Sequence, residues 1–169
     1  MILRELTLED QSAFEKMLDQ WDGAEGFSML YGLLEGMNFQ TYLNLMNEMR
    51  DGVNLVGDTV AATNLFAFEG PEIVGKVSVR HTLNKHLETV GGHIGYGVLP
   101  EFRQKGYASL MLKEALKYGR TLGLTRVLLT CDEGNLPSAK IIIKNGGVFE
   151  NLFDPKNGSS KKKRFWIEL

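Results

Sequence analysis

Between Gly95 and Leu112 the sequence reads GYGVLPEFRQKGYASLML, and no other stretch limits the possible folds as tightly. An extended apolar segment stops at Pro100, and a polar turn follows from Glu101 to Gly106. A helical pattern then begins, with Ala108, Leu112, Ala115 and Leu116 on one face. A strand that feeds a basic turn and then a helix start is a place to hold an anion. The first helical turn has unpaired backbone N–H groups and a partial positive charge. Small residues at Gly106 and Ala108 let the backbone approach such a ligand.

Two nucleotide motifs are excluded on spacing. A P-loop needs Gly-Lys followed directly by Ser or Thr, whereas Lys105 precedes Gly106 and Tyr107 follows it. A dinucleotide fingerprint beginning at Gly95-x-Gly97 fails because Pro100 stands where its third glycine belongs.

Composition narrows the class. The 169 residues suit one domain with a hydrophobic core, so the expected organisation is a single domain over 1–169. A net charge of −2 argues against nucleic acid as a partner. The basic run Lys161-Lys162-Lys163-Arg164 reads as a solvated hairpin edge. Cys131 is the only cysteine, which rules out an intrachain disulfide and favours a reducing, cytoplasmic setting. Three scattered histidines offer no metal-ligand spacing, so no metal is expected. No apolar run reaches membrane-spanning length, and the first residues lack the pattern of a signal peptide.

In chain order, Ile2–Leu6 is a short strand. Thr7 to Asp10 resembles a capping box, and Ala13, Phe14, Met17, Leu18 and Trp21 follow at helical spacing. The stretch 22–26 breaks that helix, 27–36 reads as a loop or flap, and Phe39 to Met49 is a second helix ending at Gly52. Val60–Phe68 and Ile73–Arg80 form a hairpin, followed by the Gly91–Leu99 strand and a helix over 107–122. Arg126–Cys131 is a buried strand, Pro137 to Asn145 a helix, and 148–153 with 163–169 a final hairpin, whose Phe165 and Trp166 suggest a homodimer surface.

Arg103-x-x-Gly106-x-Ala108, after a strand ending Val98-x-Pro100, resembles the acyl-CoA pyrophosphate loop of the GNAT family of N-acetyltransferases. Asn135-x-x-Ser138, with Gly146 eight residues on, resembles that family's segment after its fifth strand. The similarity covers 60–169 through these motifs and the N-terminal third through element order. His81-x-Leu83-Asn84, Gly91-Gly92-His93-Ile94-Gly95-Tyr96 and Lys144-Asn145-Gly146-Gly147 look like a poorly characterised bacterial branch of predicted acetyltransferases. The resemblance implies an α/β (α+β) fold with a mixed, mostly antiparallel sheet, splayed central strands and helices on both faces. It also implies acetyl-CoA as co-substrate and an amine on a small molecule, peptide or protein as acceptor.

Carried over residue by residue, the family places the cofactor against Val98, Leu99, Arg103, Gln104, Lys105, Gly106, Tyr107, Ala108, Ser109, Asn135 and Ser138, with a backbone bulge near Val98. The tyrosine that commonly protonates the leaving thiolate is replaced by Ile142. Candidates for the proton-transfer group are His93, Tyr96 and Glu101, and for the acceptor pocket Arg80 and His81. Acidic residues that could attract a cationic amine are Asp22, Glu25, Glu35, Asp132 and Glu133. The missing tyrosine leaves a second reading, a catalytically silent acyl-CoA-binding module.

Overall fold

In a computed structural model that describes residues 1–21 and 30–169, the strands form two antiparallel sheets. The proposed break at 22–26, the first three residues of the 27–36 segment, and Asp22 and Glu25 lie outside the described residues. The first sheet has the order β1 (Ile2–Arg4), β2 (Ala62–Glu69), β3 (Glu72–Arg80), β4 (Ile94–Val98). The second has the order β5 (Arg126–Asp132), β7 (Lys162–Glu168), β6 (Val148–Phe153). Helices α1 (Gln11–Gln20) and α2 (Phe39–Asp51) come early in the chain; α3 (Tyr107–Thr121) and α4 (Leu136–Lys144) flank β5.

The first sheet is covered on both faces, which explains why β2 is buried nearly throughout, Thr63 and Asn64 included. Leu65 and Ala67 turn toward α3 and join Val77, Val79, Ile94, Leu112 and Leu116 in one core. Phe66 and Phe68 turn the other way and meet Phe14, Met17, Tyr42 and Met46 of α1 and α2 in a second. Each fully buried aliphatic or aromatic side chain contributes about 1.5–3 kcal/mol of transfer free energy, so the alternation fixes the register of β2. Helix α2 stops at Gly52, whose left-handed φ of 71° forms its C-cap.

The splay of the central strands goes further than a widened pair. Gly92 and Leu129 form an isolated bridge between the sheets, and the His93 N–H donates to Leu128 O at 2.7 Å. Beyond that point β4 and β5 share no ladder: β5 pairs with β7, and β4 is the free edge of its own sheet.

The final hairpin corrects one expectation. Phe165 is buried in the core between Leu129 and Phe149, and the Trp166 ring lies over the Arg126 guanidinium at 4.2 Å, so this pair is not an exposed surface. The exposed apolar residues of that sheet are Val148, Phe149 and Leu152 on β6. The basic run is also less solvated than its composition suggests. Lys162 pairs with Asp132, and Arg164 meets Glu150 at 2.6 Å.

Candidate active site

The ladder between β3 and β4 decides which backbone groups face the cleft. The pairs run from Gly75↔Val98 to Val79↔Ile94 without a register shift. Arg80 N–H donates to His93 O at 2.8 Å and Leu99 N–H to Val74 O at 2.9 Å. In an antiparallel ladder hydrogen-bonded and non-hydrogen-bonded pairs alternate. Gly95 and Gly97 therefore bond to β3, while Ile94, Tyr96 and Val98 turn their N–H and C=O groups away from it. The Val98 carbonyl fits this pattern, since it accepts Arg103 Nε–H at 3.1 Å. The bulge expected near Val98 is absent. Cleft-facing N–H groups arise instead because β4 lacks a second neighbour among the described strands. The N–H of Leu99 is spent on Val74, and its side chain is buried in the α1–α2 core, which removes it from the cleft.

At the other end of the stretch, Gly106 caps α3 with φ 87°, and Gln104 also has a positive φ of 62°. The first helical hydrogen bond runs from Leu110 N–H to Gly106 O at 3.2 Å, so Tyr107, Ala108 and Ser109 present N–H groups with no acceptor inside the helix. These groups open on a cleft of about 510 Å³. It is also lined by Arg103 and Gln104 at one end and by Tyr96, Val98, Asn135 and Ser138 along its length. Lys105 lies outside the lining; its ammonium is exposed and sits 5.4 Å from the Phe102 ring centre.

The sequence reading missed Lys140, Ile141 and Lys144, which face the same cleft from α4. Their spacing from Pro137 (three, four and seven residues) is that of one helix face and was the available signal. A strip of N–H groups turned toward the cleft and ending between Arg103, Lys140 and Lys144 fits a ligand with an amide-bearing arm and a phosphate-rich end. Asn135 caps α4 by accepting Ser138 N–H at 3.0 Å, and the Tyr96 hydroxyl lies 2.9 Å from Ser138 Oγ across the wedge. Asn145 Nδ2–H donates to Ser109 Oγ at 3.1 Å, tying the end of α4 to the first turn of α3. Ile142, at the position of the family's tyrosine, is fully buried in the core.

The remaining candidates separate. His93 is buried, its Nδ1 accepts Leu128 N–H at 2.9 Å, and burial with the nearby Arg80 and Arg126 charges lowers its pKa to about 4. Glu101 is exposed, adds to the negative charge near Lys16, and does not line the cleft. His81 Nε2 lies 2.9 Å from Thr63 Oγ1, which also meets Tyr118 Oη at 3.1 Å, so this ring packs on the α3 side. Arg80 points to the opposite face. There it lines a second pocket of about 600 Å³ with Asn64, Lys76 and Ser78. Lys76 is fully buried, and desolvation, then the Arg80 charge, lowers its pKa to about 7. Across the ladder, Lys76 and Ser78 stand opposite Gly97 and Gly95. On this face, then, β4 carries no side chains between the pocket and its free edge.

Comparison with known proteins bears on the family and the fold. A family described as "Acetyltransferase (GNAT) domain" matches residues 1–148. An uncharacterized N-acetyltransferase of Bacillus subtilis, YnaD, is 34% identical over 76 residues; the match spans 44% of this chain and 44% of the relative's length. Among solved structures, a spermidine N-acetyltransferase SpeG mutant from Vibrio cholerae superposes with a TM-score of 0.66 at 20% identity, covering 99% of this chain and 95% of that one. Ribosomal-protein-alanine N-acetyltransferase from Brucella melitensis gives 0.68 at 16% identity over the full length of both. These likenesses carry the fold, and the match over residues 1–148 carries the family: the chain belongs to the GNAT acetyltransferases.

Proposed function

We propose that the protein is an acetyl-CoA-dependent N-acetyltransferase that moves the acetyl group directly to a primary amine of a small molecule or peptide. One observation carries this reading. The anion-binding cleft and the Lys76 pocket lie on opposite faces of β4, separated at Gly95 and Gly97 by bare backbone. Acetyl-CoA, when bound, supplies an activated acyl carbon. The N–H groups of Tyr107, Ala108 and Ser109, with Arg103, Lys140 and Lys144, would hold its phosphates. The outward N–H groups of Tyr96 and Val98 would hold the pantetheine arm and stabilise negative charge on the carbonyl oxygen during transfer.

In the reaction a C–N bond forms as the C–S bond breaks, the amine gives up a proton, and the thiolate leaves with the bonding pair. An amine with a pKa of about 10 must first lose a proton. Lys76, cross-strand from Gly97 and held near 7, is placed to take it in its neutral form. His93, with Nδ1 occupied, pins β4 to β5. Tyr96 replaces the absent tyrosine of α4 as the proton donor near the sulfur. Its contribution is modest, because a thiol with a pKa near about 8.5 can leave as thiolate around neutral pH.

The reading is tested by thermal unfolding with CoA and acetyl-CoA, and by single-turnover thiol release with a panel of amines. Both nucleotides should raise the melting temperature, and Tyr96→Phe should lower the single-turnover rate by roughly tenfold while leaving the thermal shift intact. Binding without thiol release on any amine identifies a silent acyl-CoA-binding module. No thermal shift with either nucleotide removes both readings.

A further inference from the structure

We infer that the pocket on the Lys76 face receives an amine that also carries an anionic group, anchored by the Arg80 guanidinium. The inference rests on the acetyl-transfer reading above. Arg80 lies mostly out of water, and burial lowers its pKa. Its Nη1 donates to the carbonyls of Gly92 at 2.9 Å and Gly91 at 3.3 Å, and among the described residues no carboxylate pairs with it. A guanidinium has five N–H donors in a planar fork, and two neutral carbonyls on one nitrogen leave its charge unmatched. A desolvated cation of this kind favours a carboxylate or phosphonate, which the fork can take in a bidentate way.

The rest of the lining points the same way. Among the described lining residues Asn64, Ser78 and Asn84 are neutral, and Asp58 is exposed at the rim. A second ammonium on the acceptor would meet the Arg80 guanidinium. Spacing defines the size of the molecule. Ser78 stands opposite Gly95, where β4 is bare, and Arg80 stands opposite His93, two residues further along β3. At about 3.3 Å per residue this is about 7 Å. An amine at the bare edge and an anion at Arg80 are then separated by a few bonds.

A matched trio tests the charge alone: β-alanine, its neutral amide β-alaninamide, and 1,3-diaminopropane have the same reach and differ in charge at the far end. Thiol release from acetyl-CoA should give kcat/KM in the order anion, neutral, dication, with the ends of the series about tenfold or more apart. Arg80→Gln should flatten that order, and Arg80→Lys should keep it in part. Both should retain the thermal shift with CoA, which also shows that they fold. Calorimetric titration of the CoA-bound protein with N-acetyl-β-alanine and N-acetyl-1,3-diaminopropane gives a readout without turnover, with tighter binding expected for the acid. A flat or reversed order in either measurement, or an order that survives Arg80→Gln in folded protein, overturns the inference. If CoA gives no thermal shift, the acetyl-transfer reading has failed instead.

Discussion

Gly92 is the hinge on which the splayed architecture depends, and replacing it with alanine tests that directly. Its φ is +66°, in the left-handed region, and an added Cβ would lie inside contact distance of the Leu128 carbonyl oxygen and 2.8 Å from the carbonyl carbon. Both obstacles are backbone, so no rotamer change relieves them. Holding alanine in that conformation costs about 1–2 kcal/mol. Moving Leu128 away breaks two hydrogen bonds, His93 N–H to Leu128 O at 2.7 Å and Leu128 N–H to His93 Nδ1 at 2.9 Å, at about 1 kcal/mol each. Together Gly92→Ala should destabilise by about 3–4 kcal/mol. For a chain of this length that lowers the melting temperature by roughly 6–16 °C. Gly134→Ala is the control: it has ordinary φ and nothing within 4 Å of its added Cβ, so it should stay within about 0.5 kcal/mol of the parent. Urea unfolding of the three proteins measures the differences. If Gly92→Ala lies within about 1 kcal/mol of the parent, the bridge is not what joins the sheets, and the reasoning fails.

Other expectations follow from the same geometry. His93 has a folded pKa of about 4 against about 6.5 unfolded, so the unfolded chain takes up its proton first. Stability should fall as the pH drops from about 6.5 toward 4, by on the order of 2 kcal/mol after allowance for solvent near the ring. His93→Gln should lose that slope in urea midpoints measured across the window. Replacing both Lys140 and Lys144 with alanine removes two cations from the cleft proposed to hold the cofactor. The KM for acetyl-CoA should rise by roughly tenfold or more with kcat little changed, and the effect should shrink in high salt.

The strand–turn–helix at Gly95 to Leu112 was legible because its signals are local: Pro100 ends the strand, Gly106 opens the helix, and the basic turn lies between. Lys76 was not. A lysine in a strand ordinarily reads as solvent-facing, and its full burial, on the same face as Phe66, is decided by tertiary packing. His93 was undecidable for a similar reason. Its partner Leu128 lies 35 residues away, so neither its buried state nor its occupied Nδ1 has any trace in the nearby sequence.

What the sequence determined by itself, then, was the set of elements and the strand–turn–helix at Gly95 to Leu112, because helix starts, caps and apolar alternation depend on neighbours a few residues apart. The tertiary structure alone decided how those elements divide the chemistry. It made β4 a sheet edge whose outward N–H groups need no bulge, and it placed Tyr96 in the lining of the cleft beside α3 and α4. It also left Gly95 and Gly97 as bare backbone facing Lys76, while Arg80 and His81, adjacent in the chain, went to opposite faces. These outcomes follow from which strand pairs with which, and strand pairing joins residues far apart in the sequence.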